Sequence, residues 1–232
     1  MIFSLHTRPM PETATRTRFP TTVKKPSELK RLLVSGINNP KLGGKVTKGK
    51  LKGYAIYHLT LEERATCPRS CHHWTTCYGG NMPFAKRVDH TEPDFTSRLE
   101  TELAGLVATR GRKGVLVRLH VLGDFFSTDY VDFWRQMLDR HPTLAVWGYT
   151  ARHWFLDPIG VDIDAMNARY KGRWHVRYSN TDLGAGGTVS IQTEDQCPPD
   201  AFVCPEQTGR VKSCGACALC WSTSKNVAFL EH

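Results

Sequence analysis

From Tyr54 onward the chain alternates short apolar runs with stretches of helical periodicity. Residues 54–59 (YAIYHL), 115–122 (VLVRLHVL), 144–150 (LAVWGYT), 174–179 (WHVRYS) and 188–192 (TVSIQ) are rich in β-branched and aromatic residues and predict strands. Between the first two, Leu99, Leu103, Leu106 and Val107 share one helical face, and Gly111 stands where that helix would stop. Between the next two, Ser127 caps a helix with Val131, Trp134 and Leu138 on one stripe. A third helix over 161–170 carries a less marked stripe. Repeated strand–helix–strand units require parallel pairing through right-handed crossovers, so the expected fold is an α/β sheet curled into a partial barrel.

Alternation along the second strand places Val117, Leu119 and Val121 on one face and Arg118, His120 and Asp124 on the other. On the fourth strand His175, Arg177 and Ser179 share a face. Crossover helices cover the apolar side of such a sheet, so the two polar faces are expected to line one cleft where ligand chemistry would sit. Arg118, His120 and Asp124 are the candidate catalytic residues there. His120 also reads as a residue that only lines the cavity.

The 232 residues include 40% hydrophobic and 23% charged positions, ordinary for a chain with a packed core. No apolar run reaches membrane-spanning length and the first residues lack a signal-peptide core, so a soluble, cytoplasmic protein without a membrane partner is expected. The net charge of +9 favours polyanions, nucleic acid above all. Residues 1–34 read as a basic, flexible arm and 35–196 as the α/β domain. Residues 197–229 read as a C-terminal cysteine-rich segment and 230–232 as the remnant of an expression tag. The lysine-rich stretch from Ser35 to Gly53 reads as a phosphate-contacting loop or a solvated connector.

The eight cysteines fall into two groups. With no export signal they read as metal ligands rather than disulfides. Cys67, Cys71 and Cys77 follow the first strand as C-x3-C-x5-C. Three thiolates can hold three irons of a [4Fe-4S] cluster and leave the fourth open. Zinc, completed by His72 or His73, is the competing reading. In the second group Cys214, Cys217 and Cys220 form the ferredoxin-like spacing C-x2-C-x2-C. Cys204 is the preferred fourth ligand; Cys197 is the alternative, and spacing does not choose between them.

The segments TCPRSCHHWTTCYGG, VRLHVLGDFFSTDYVDFW, WGYTAR and CPEQTGRVKSCGACALCW, in this order, resemble a phage- and prophage-associated family of small cysteine-rich proteins known by a gene-product number. The likeness runs from about Ser35 to Trp221. More distantly, a three-cysteine loop after the first strand of a partial barrel resembles radical S-adenosylmethionine (SAM) enzymes. That resemblance implies that the first cluster's open iron binds SAM. It also implies that Gly123 and Asp124 meet the methionyl amino group and that Arg177, Ser179 and Asn180 contact the carboxylate and ribose. The x5 gap and the shorter Asp124 carboxylate depart from that pattern.

These readings lead to an iron-sulfur protein with two [4Fe-4S] clusters, a radical-SAM-like enzyme served by an electron donor. A non-catalytic iron-sulfur protein that binds nucleic acid or senses redox state is the alternative, with Trp74, Tyr78 and Trp221 as stacking candidates; a zinc protein is another. No Walker loop, dinucleotide fingerprint, nucleophile elbow or zinc-protease motif is present.

Overall fold

A computed structural model describes residues 10–179 and 186–231. Ten strands occur among them: β1 (Val23–Lys24), β2 (Val34–Ser35), β3 (Ala55–His58), β4 (Arg87–Val88), β5 (Val115–Leu119), β6 (Leu144–Thr150), β7 (Trp174–Ser179), β8 (Gly187–Ile191), β9 (Ala201–Val203) and β10 (Asn226–Leu230). The helices are α1 (Phe95–Arg110), α2 (Thr128–Arg140), α3 (Pro158–Arg169) and the single turn α4 (Cys214–Cys217). β1 and β4 make a small parallel pair. The other strands form one sheet in the order β2-β3-β5-β6-β7-β8-β10-β9, parallel except for β2 against β3.

The three long helices connect β3 to β5, β5 to β6 and β6 to β7, and their apolar stripes cover one face. Leu99 and Leu103 of α1, Val131, Trp134 and Leu138 of α2, and Ile163 and Met166 of α3 pack with Val115, Val117, Leu119, Val146 and Val176 of the sheet. The Ser127 hydroxyl accepts from the Tyr130 amide at 3.1 Å, and Asp157 caps α3 by accepting from the Ile159 amide at 2.9 Å. Each cap satisfies a backbone donor that the first helical turn leaves open.

The sheet does not close. β2 and β9 are its two edges, so the structure is a mixed α/β fold on an open, mostly parallel sheet, and no barrel forms. Among the described residues no long helix precedes β8, β9 or β10, so the βα repeat that would carry a barrel onward ends at β7. The C-terminal cysteine-rich stretch is not a separate unit either, because β9 and β10 extend the same sheet. Leu230, set aside above with the tag remnant, pairs with Ile191, and the Glu231 amide donates to the Ile191 carbonyl.

Residues 10–34 are packed rather than free. Met10, Thr17, Leu29, Leu32 and Leu33 are buried. The Arg16 guanidinium pairs with Glu62 at 2.6 Å, and the Glu102 carboxylate accepts from the Leu32 and Leu33 amides at 2.7 and 3.1 Å. The lysine-rich stretch is held as well: Leu42, Val46 and Leu51 join Ile56, Leu116, Ala145, Trp147, Ala218 and Trp221 in a second core on the face away from the long helices. Its lysine side chains remain outside that core.

Candidate functional site

The face opposite the helices carries the second cysteine group, whose Cys214 and Cys220 pack against the second core, while the first group lies at the carboxyl ends of the strands. Cross-strand register sets His58, Arg118, Trp147 and His175 side by side, with Tyr149 beside Arg177 one step along. Side chains two residues apart on a strand share a face, so the row continues from Ile56, Leu116 and Ala145, whose side chains lie in the second core.

The first cysteine loop leaves the carboxyl end of β3 and is fixed at several points. Arg64 reaches three backbone carbonyls, those of Pro11, Ala14 and Trp74, and so ties the N-terminal segment to the loop. The Tyr78 hydroxyl donates to the Val121 carbonyl, and His73 Nε2 meets the Ser190 hydroxyl of β8 at 2.7 Å. Behind the loop, Arg87 is wholly buried and forks onto Glu63 at 2.6 and 2.8 Å. Burial pushes the Cys67 thiol well up, with Asp124, Cys71 and Cys77 adding to it. Burial likewise moves Cys71 up to about 11 and raises Cys77. The three thiols therefore act on one another from a shared, poorly solvated pocket, and each keeps its proton unless a cation compensates.

The second group is gathered more tightly. Cys204, Cys214, Cys217 and Cys220 line one cavity of about 10 Å³ with Phe202 and Trp221. Cys214 and Cys217 bound α4, whose amino end is capped by Ser213 accepting from the Ala216 amide. Gly215 sits where a Cβ would lie 2.3 Å from the Lys45 carbonyl, so only glycine lets this turn approach the covering loop. Parity separates the two candidate fourth ligands. Ala201 and Val203 pack on the side that holds Cys197, in the core of Ile191 and Ala228, while Phe202 and Cys204 face the cavity. Burial raises the Cys214 thiol to about 12 and also raises Cys217 and Cys220. The Tyr149 hydroxyl donates to Cys220 Sγ at 3.0 Å. Among the described residues no three His, Cys, Asp or Glu side chains are placed to hold one metal ion.

The residues predicted to surround an open iron are distributed otherwise. Arg177 is committed to the C-terminal segment: its Nε donates to the Cys220 carbonyl at 2.9 Å, its Nη1 to the Lys225 carbonyl at 2.8 Å and its Nη2 to the Thr223 carbonyl. It positions Cys220 and has little left for a SAM carboxylate. His120 lies on the helix side, against Phe125 and with Nε2 3.1 Å from the Tyr130 hydroxyl. Burial, helped by the Arg118 charge, moves it down to about 3, so the ring is neutral and away from the cleft. Asp124 is buried; its Oδ1 accepts from the Phe125 amide at 2.7 Å and its Oδ2 from the Ala151 amide at 2.8 Å. It clamps the ends of β5 and β6 beside Cys67 and Cys71, and burial raises its carboxyl to about 6. Gly123, at φ +84°, lets this turn pass against Leu61 and Thr66. Ser179 ends β7, and Asn180 lies outside the described residues. Arg118 alone of the three candidate catalytic residues stands on the face of the second core, close to Tyr78, Tyr149, Cys214 and Cys220.

His58 and Tyr149 belong to this site without having been singled out from sequence, and Tyr78, expected only as a stacking candidate, joins them. Strand alternation carries the signal for His58 and Tyr149, which share a face with Arg118. A separate cleft of about 430 Å³ opens on the helix side between the amino ends of α1 and α2, lined by residues such as His90, Glu92, Phe126 and Asp129. It contains none of the predicted site residues.

The arrangement defines a class: an open, mostly parallel α/β sheet with long helices on one face and, on the other, a second core that gathers Cys214 and Cys220 near Arg118. A model of the family described as Gene product 88 matches residues 28–223, and the chain belongs to that family. A Gene 88 protein of Mycobacterium phage L5 is 28% identical over 131 residues, which cover 49% of this chain and 54% of the relative. The chain thus spans about half the length of the curated relative it matches. No solved structure matches it. No helix among the described residues is long and apolar enough to cross a membrane.

Proposed function

We propose that this chain is an iron-sulfur redox protein with two [4Fe-4S] centres, fed by an electron donor. The observation that carries the reading is the cavity ringed by Cys204, Cys214, Cys217 and Cys220, with Cys197 turned to the opposite side. All-thiol donors suit iron-sulfur chemistry. Loading requires the four thiols to swing outward, since the cavity is small without a guest. Cys67, Cys71 and Cys77 offer three donors to the other centre. A cluster held by three thiols supplies one iron open to a ligand, the chemistry expected of the catalytic member of the pair.

Within this reading a SAM-dependent reaction is the less favoured form, because Arg177 already serves three backbone carbonyls and Asp124 already accepts two amides. Nucleic acid is the macromolecular partner the surface suits best. The net charge is +9, and Trp154, Phe155 and Leu156 are exposed beside Arg152, which donates to the carbonyl of Thr66 next to Cys67.

Anaerobic reconstitution with iron and sulfide, followed by metal analysis and a visible spectrum, tests the proposal. A brown protein with both iron and acid-labile sulfide is expected. A colourless protein that takes up only zinc would replace it with the zinc reading, and SAM added to the reduced protein would yield 5′-deoxyadenosine only if the less favoured form is correct.

A further inference from the structure

Among the described residues, four other arginines of the interior make several hydrogen bonds each. Arg87 forks onto Glu63, Arg64 and Arg177 each serve three carbonyls, and Arg152 reaches Phe125, Thr66 and Asp157. Arg118 differs. Its Nε is shielded from water and has no hydrogen-bond partner, as is true of Arg64 Nε, but Arg64 serves three carbonyls through its Nη atoms, whereas among the described residues no carbonyl or carboxylate pairs with Arg118. Its contact with the Tyr149 ring, at 5.8 Å, is the weak kind that a cation makes with an aromatic face. Burial opposes its charge, while Tyr78, Tyr149, Cys214 and Cys220 lie close enough to favour it.

Its neighbour repeats the pattern. His58 is the cross-strand partner of Arg118, and its Nδ1 is also buried without a partner. Residues paired in register point to the same side of a sheet. Two unsatisfied nitrogens, one on a permanent cation, thus stand together near Tyr78 and the second thiol group. Leaving a cation and an imidazole unpaired side by side is costly. A planar guanidinium with free donors beside an imidazole is suited to an oxyanion.

We propose that Arg118, with His58, forms a binding site for a carboxylate or phosphate group of a small-molecule ligand, held beside the second thiol group. The site does not depend on the metal centres, so it is tested on the full chain without added iron. Inorganic phosphate, acetate and chloride at matched ionic strength are titrated into wild type, Arg118→Met and Arg118→Lys. Thermal unfolding and the arginine Nε–Hε NMR signals are recorded.

The expected result is that phosphate or acetate, but not chloride, raises the wild-type Tm and shifts one arginine Nε–Hε signal that is missing in both variants. Affinity should fall about tenfold or more in Arg118→Met, as for loss of a charge-assisted hydrogen bond. Response to phosphate alone or acetate alone identifies the ligand group. Arg118→Met should itself be no less stable than wild type without ligand, because it removes an unpaired charge. An equal response in all three proteins would overturn the proposal. So would an Arg118 signal that moves only on iron loading, which would assign its counter-charge to the thiolates.

Discussion

The guanidinium of Arg177 on β7 donates through Nε to the carbonyl of Cys220 at 2.9 Å, and so fixes the last thiol of the second group to the centre of the sheet. Two further bonds, to Lys225 and Thr223, shape the same turn. Lysine has neither the fork nor the reach to satisfy three carbonyls. Both Arg177→Met and Arg177→Lys are expected to lose about half of the reconstituted iron while keeping that of the first group. Iron per chain, with alkylation rates of Cys214, Cys217 and Cys220 as a second readout, checks this.

Glu63 and Arg87 form a fully buried ion pair behind the first cysteine loop, and Arg87 also donates to Thr22, Gly79, Met82 and Ala85. Removing one partner strands the other charge. Arg87→Met or Glu63→Gln should each lower stability by about 3–5 kcal/mol in urea unfolding, and Glu63→Leu combined with Arg87→Met should cost less than the two single changes added together.

Two buried histidines predict an acid limb in the stability profile. His120 is moved down to about 3 and His58 to about 4, each chiefly by burial and then by the Arg118 charge. The unfolded chain takes up these protons near pH 6.5 while the folded chain does not, so stability is full above about 6.5 and declines as the pH falls toward 4. His120→Phe should remove up to about one proton from the linkage slope over that interval. Urea midpoints measured across the range will show whether it does.

Gly123 and Gly105 give opposite expectations for the same substitution. A Cβ on Gly123 would lie 2.6 Å from Thr66 Oγ1 and 2.7 Å from Leu61 Cβ, on a backbone at φ +84°. Gly123→Ala should cost on the order of 1–3 kcal/mol and loosen the first cysteine loop. In α1, Gly105 has open space around it, and Gly105→Ala should gain about 0.5–1 kcal/mol. Parallel urea unfolding of the two variants makes the comparison.

The helices were legible because local chemistry specifies them: α2 has its Ser127 cap and a stripe repeating every three or four residues. The face of Arg118 was legible for the same reason. His120 was misplaced because alternation holds only within a strand, and β5 ends at Leu119. The N-terminal segment was read as a free arm because its anchors are scattered. Met10, Leu32 and Leu33 show no period, and its polar partners Glu62, Glu63 and Glu102 lie far along the chain. Closure of the sheet was unreadable since it depends on how β8, β10 and β9 pair, which no local pattern encodes. The choice between Cys197 and Cys204 waited on the register of β9.

Iron and sulfide counted per chain after anaerobic reconstitution of wild type, Cys197→Ser and Cys204→Ser bear on the central claim most directly. Two clusters require about eight irons in wild type and in Cys197→Ser, and about half that in Cys204→Ser. Full loading of Cys204→Ser, or no iron in any of the three, would contradict that claim.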